Sequence, residues 1–203
     1  MGVAIRRHAS HTDSVMSSGA PSREVNRSRP LARVTVLSSG MVAVLIAMLL
    51  SATPALAHQP VQLTSADRTP ANGPLLVDGT VSFAVYATVR DRATRGFRVG
   101  MREGQRLEIQ LLIPDRAPAN RLSSSQLPLV TVVDPAGRRT TLTIDERTPF
   151  YEPYSGTSYL YLARLSQSAR SGTYQVIVTG RDRTKVPVVI GVGYREVPGT
   201  VRD

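Results

Sequence analysis

The stretch Thr80–Val89, TVSFAVYATV, decides the fold. Val81, Phe83, Val85, Ala87 and Val89 fall on one face, and Ser82, Ala84, Tyr86 and Thr88 on the other. A period of two is the signature of a strand with one face on a core. The pattern recurs downstream. In Arg106–Ile113, Leu107, Ile109, Leu111 and Ile113 alternate with Glu108, Gln110 and Leu112. In Thr173–Thr179, Tyr174, Val176 and Val178 oppose Gln175, Ile177 and Thr179. In Lys185–Tyr194, Val186, Val188, Ile190, Val192 and Tyr194 share a face. Shorter strands are expected at 96–99, 129–133, 139–144 and 158–165. Asp134-Pro135-Ala136-Gly137 and Gly180-Arg181-Asp182-Arg183 carry turn chemistry between such runs. No segment past residue 57 holds a period of 3.6. The pattern predicts an all-β domain of about eight strands, a single antiparallel jelly-roll-like sandwich over residues 76–197. A seven-stranded immunoglobulin-like sandwich fits the same pattern. Residues 58–75 are expected to be an extended lead-in and 198–203 a tail.

Upstream of the sandwich the composition changes. Residues 1–33 hold Arg6, Arg7, Arg23, Arg27, Arg29 and Arg33 against Asp13 and Glu24, and read as a disordered basic cytoplasmic segment. Residues 34–57 then carry no charge over 24 positions and end on Ala55-Leu56-Ala57. Basic flank, apolar run and A-x-A site in this order make a signal peptide, with cleavage after Ala57. The rival is an uncleaved anchor helix, since 24 residues at about 1.5 Å each reach across a hydrocarbon core of about 30 Å. Both readings keep the N-terminus cytoplasmic and place residues 58–203 outside the cytoplasm. The expected location is secreted, periplasmic or wall-associated, with membrane contact only through residues 34–57.

Composition excludes several chemistries. Among the 203 residues there is no Cys and no Trp, and only 3 His. That removes disulfides, thiolate metal sites, iron–sulfur clusters and a Cys nucleophile. After residue 57, His58 is the only His and Lys185 the only Lys, so a Ser nucleophile lacks a base. No P-loop, dinucleotide or EF-hand pattern occurs. The chain therefore reads as a non-enzyme without a cofactor. A glycosidase-like carboxylate pair is the remote enzymatic alternative. Of the 25 basic and 15 acidic residues, 19 and 13 lie past residue 33, a net charge of +6. These basic residues are scattered among acids, so no nucleic-acid partner is expected. The tightest group, Arg90, Arg92, Arg95 and Arg98, reads as a solvated turn.

The aromatics concentrate in one place. Phe150, Tyr151, Tyr154, Tyr159 and Tyr161 are five of ten. One reading makes 148–156 a loop over the sandwich end, with Phe150 plugging the core. The other makes Tyr151 and Tyr154 a platform for a sugar ring or a protein partner, with Glu152 as hydrogen-bond acceptor.

The series PLLVDGTVSFAVYATV (74–89), GQRLEIQLLIPD (104–115), LPLVTVVDPAG (127–137), TPFYEPYSGTSYLYLARL (148–165), SGTYQVIVTG (171–180) and VVIGVGYRE (188–196) resembles exported bacterial and archaeal β-sandwich domains akin to pre-peptidase C-terminal (PPC-like) domains. Its most specific parts are Pro149–Tyr154 and Gly172–Val178. The resemblance implies a jelly-roll accessory or binding domain with no catalytic residues, although no enzyme domain accompanies it here. The opening HQPVQLTSADRTPANG (58–73) also resembles periplasmic copper-carrier sandwiches, whose mature chains begin with His. The expected function is an exported module binding a cell-envelope glycan or protein, with a copper carrier using His58 as the alternative.

Overall fold

The computed structural model describes residues 58–153 and 155–203. The basic segment 1–33, the segment 34–57 read as signal or anchor with its Ala55 and Ala57, and Tyr154 lie outside the described residues. Twelve strands occur among the described ones: β1 (Gln59–Gln62), β2 (Leu75–Leu76), β3 (Phe83–Val89), β4 (Thr94–Met101), β5 (Arg106–Pro114), β6 (Leu129–Val133), β7 (Arg139–Thr141), β8 (Thr148–Glu152), β9 (Thr157–Ser168), β10 (Gly172–Thr179), β11 (Val186–Val192) and β12 (Val201–Arg202). They form two six-stranded sheets. Sheet A runs β1-β3-β11-β5-β9-β8 and sheet B runs β12-β2-β4-β10-β6-β7.

The eight strands expected from the sequence are β3 to β7 and β9 to β11. The other four depart from expectation. β8 stands where a loop was expected, because an edge strand tolerates the missing N–H of Pro149. β1, β2 and β12 are four or two residues long, too short to display a period. β1 and β12 lie outside 76–197 and still pair with it. β1 runs parallel to β3 and β2 parallel to β4, so the sheets are mixed rather than purely antiparallel.

The inward faces meet in one core. Sheet A contributes Phe83, Val85, Leu107, Ile109, Leu111 and Ile190; sheet B contributes Leu76, Phe97, Val99, Val130, Tyr174 and Val176. Each fully buried side chain of this size contributes roughly 1.5–3 kcal/mol. β9 changes parity midway: Leu160 and Leu162 face the core, then Ala163 and Leu165 do. The β5–β9 register shifts between Leu111 and Leu112, where a bulge absorbs the extra residue.

The chain turns where its residues permit. Between β6 and β7, Gly137 takes φ +84° and donates its N–H to the Asp134 carbonyl (2.9 Å). Asp134 accepts from the N–H groups of Ala136 and Arg138 and pairs with Arg138 Nε at 2.7 Å. Segment 64–74 lies over β4, and Gly96 permits the approach: a Cβ there would sit 2.4 Å from the Pro70 nitrogen.

Candidate functional site

Sandwich outer faces are ordinarily polar. Sheet B obeys this with Thr131, Thr141, Thr173, Gln175 and Thr179, none of them buried. Sheet A does not. Its register sets Tyr86, Val189, Leu112 and Tyr161 in a row across four strands. The neighbouring row is Ala84, Gly191, Gln110 and Arg164. Large residues beside Ala84 and Gly191 leave a small depression of about 40 Å³. A second apolar cluster forms there, separate from the core: Ala84, Leu112, Tyr159 and Val189, with Tyr86, Phe150 and Tyr161 packed against it.

β8 completes the site as its wall. Phe150 pairs with Tyr159 and Glu152 with Thr157, so strand alternation aims both at the outer face. The Phe150 and Tyr161 rings meet at 5.4 Å between centroids, tilted by 50°. Phe150 thus packs on the outer cluster, and the expectation that it plugs the core is corrected: alternation in β8 points it outward. Tyr151 takes the opposite side of β8 and is 59% exposed. The expected grouping of Tyr151 with Glu152 on one platform is divided by this alternation.

The rim is polar. His58, Gln110 and Glu152 border the depression. His58 Nδ1 hydrogen-bonds the Ser82 hydroxyl, so the residue offered as a copper ligand is held beside the start of β3. No group of three or more His, Cys, Asp or Glu able to hold a metal ion occurs among the described residues. Burial pushes the Tyr86 phenol above its ordinary value, aided by the Tyr159 hydroxyl and the Glu152 carboxylate. Burial raises Tyr161 as well, against the opposing pull of Arg164. The Arg164 guanidinium lies 3.9 Å from the centre of the Tyr161 ring, and its Nε contacts Glu146 at 2.7 Å. Both phenols stay protonated at neutral pH and keep a hydroxyl to donate.

The aromatic crowding of 150–161 was a usable signal in the sequence. Tyr86, Leu112, Val189 and Gly191 come from distant strands, and only the pairing brings them to it.

No family model matches the chain, and no curated protein matches it. Among solved structures the chain is similar to PliG of Salmonella Typhimurium, a periplasmic lysozyme inhibitor of g-type lysozyme. Identity is 12%, coverage is 66% of this chain and 97% of that one, and the TM-score is 0.32. A mutant of the corresponding Escherichia coli protein is similar at 11% identity, with 67% and 99% covered and a TM-score of 0.31.

Proposed function

We propose that residues 58–203 are an exported, non-catalytic jelly-roll module that binds a protein of the cell envelope through the outer face of sheet A. One observation carries this reading: an apolar cluster with a depression and a polar rim stands on a face that would otherwise be polar. A buried aromatic centre inside a polar rim is the anatomy of a protein-binding hot spot. The strand orders β3-β11-β5-β9 and β4-β10-β6-β7 support the jelly roll. The likeness to pre-peptidase C-terminal domains stands within the same proposal. Export rests on the 34–57 segment.

A protein partner is favoured over a glycan by the ring faces. Sugar stacking needs a flat open ring. Tyr159 is buried, Tyr161 is covered by Arg164, and Phe150 leans on Tyr161. What is left is a hole for an apolar side chain. The glycan reading keeps one specific support, the open ring of Tyr151 on the other side of β8. The copper reading retains only His58, whose Nδ1 is already engaged.

A photo-crosslinking benzoylphenylalanine placed at Phe150, with Gln175 on sheet B as control, tests the site in producing cells. A discrete protein adduct from position 150 and none from 175 is expected. Equal or absent adducts, with cell-wall retention that depends on Tyr151, would instead support the glycan.

A further inference from the structure

One end of the sandwich is built around arginines, and we propose that it binds a phosphate-bearing polymer. The β3–β4 and β10–β11 turns are zipped together there. Asp91 N–H donates to the Asp182 carbonyl (2.6 Å), Arg92 N–H to the Gly180 carbonyl (3.0 Å) and Gly180 N–H to the Ala93 carbonyl (2.9 Å). Segment 64–74 joins them: Gly96 N–H donates to the Asp67 carbonyl (2.8 Å) and Thr94 Oγ1 to the Arg68 carbonyl (2.7 Å). Two open depressions result, divided by Ala93. One, of about 390 Å³, is lined by Arg68, Arg92 and Arg95. The other, of about 420 Å³, is lined by Arg90, Arg183 and Asp91.

These five arginines enter none of the four ion pairs among the described residues. Two neighbouring carboxylates accept their hydrogen bonds from other groups, while Asp182 also feels the charge of the adjacent Arg183. Asp67 accepts from the Thr64 N–H and hydroxyl, and Asp182 from the Thr184 N–H and the Gln126 amide. Asp91 is the acid that lines a depression. Arg68 Nε and Arg95 Nη1 each donate once to a local carbonyl, of Ser65 (3.3 Å) and Thr94 (2.7 Å); Arg98 donates to the Gly73 carbonyl (2.9 Å) and lines neither depression.

The turn itself is strained. Ala93 N–H closes it on the Arg90 carbonyl (2.8 Å), with Asp91 at φ +30° and Arg92 at φ +59°. Such a turn favours Asn-Gly, and an arginine there is held against its own preference. Strain of this kind collects at binding sites. Guanidinium forks match phosphate oxygens in pairs. Two depressions flanking one turn suit successive charges along a chain, one in each. A bilayer surface is disfavoured, because none of the exposed large apolar residues lines either depression.

The test is calorimetric titration of the full chain, in nonionic detergent, with linear polyphosphate. Parallel titrations use polyglutamate and vesicles of phosphatidylglycerol and phosphatidylcholine. Polyphosphate is expected to bind, with affinity falling roughly tenfold or more between about 50 and 200 mM salt. Combining Arg90→Gln, Arg92→Gln, Arg95→Gln and Arg183→Gln should weaken binding at least tenfold. A charge-matched control at the exposed Arg102, Arg116, Arg139 and Arg170 should weaken it less than threefold, which separates placement from net charge. Should the quadruple variant not fold, the exposed single changes Arg68→Gln and Arg183→Gln must each weaken binding measurably. Equal loss in variant and control, equal binding of polyglutamate, or tighter arginine-dependent binding of vesicles would each overturn the proposal. None of these readouts involves Phe150 or the outer face of sheet A.

Discussion

Tyr174 is buried, and its hydroxyl accepts the Arg170 N–H at 2.9 Å where β9 passes into β10. Tyr174→Phe keeps the packing and strands that donor, so urea denaturation should show a loss of about 1–2 kcal/mol. Gly191 acts differently. A Cβ there would meet Gln110 Oε1 at 3.2 Å, the end of a flexible side chain. Gly191→Val should therefore leave the thermal midpoint nearly unchanged while filling the depression. Loss of the Phe150-centred protein adduct in that variant is the expected result. An undiminished adduct would separate the depression from binding. At this scale the sequence made His58, Tyr151 and Glu152 visible as unusual residues. It did not show that His58 meets Ser82, nor that Tyr151 and Glu152 part to opposite sides, because both follow from strand pairing.

Elements were legible in proportion to their length. β3, β5, β10 and β11 repeat their alternation over seven to nine residues, enough for a period to emerge. β8 was obscured by Pro149, and the bulge in β9 by its mid-strand change of parity. The β3–β4 turn makes a prediction of its own. Replacing Asp91-Arg92 by Asn-Gly should relieve left-handed strain of about 1 kcal/mol, partly offset by glycine entropy, for a net gain of about 0.5 kcal/mol. The same variant should bind polyphosphate more weakly, so its stability and its binding should move in opposite directions. Gly96→Ala on β4 should do the reverse of stabilise: its methyl meets the Pro70 and Thr69 backbone at 2.4 and 2.6 Å. Crowding against backbone that cannot step aside should cost about 1–3 kcal/mol, read from the unfolding midpoint.

The whole molecule should be acid-sensitive. A hydrogen bond from the Arg138 side chain holds Asp134 below its ordinary 3.8, and one from Thr184 does the same for Asp182. The Thr148 hydroxyl holds Glu146 below its ordinary 4.5. Depressed carboxylates stabilise the fold fully above their unfolded values and lose that contribution as pH falls through their folded ones. The thermal midpoint should be flat near neutrality and fall progressively below about pH 4.5. Asp134→Asn should flatten part of that fall; an unaltered acid slope would assign it to other groups.

Local chemistry along the chain determined the layered β architecture, the main turns and the lack of any Cys. Alternation, turn residues and composition are each written over a few consecutive positions, so they survive without any knowledge of pairing. The tertiary structure alone decided where two surfaces of different character arise. Tyr86, Leu112, Tyr161 and Val189 become one apolar row, and Arg68, Arg92 and Arg183 one basic end, only when hydrogen-bonded register brings distant strands and turns side by side.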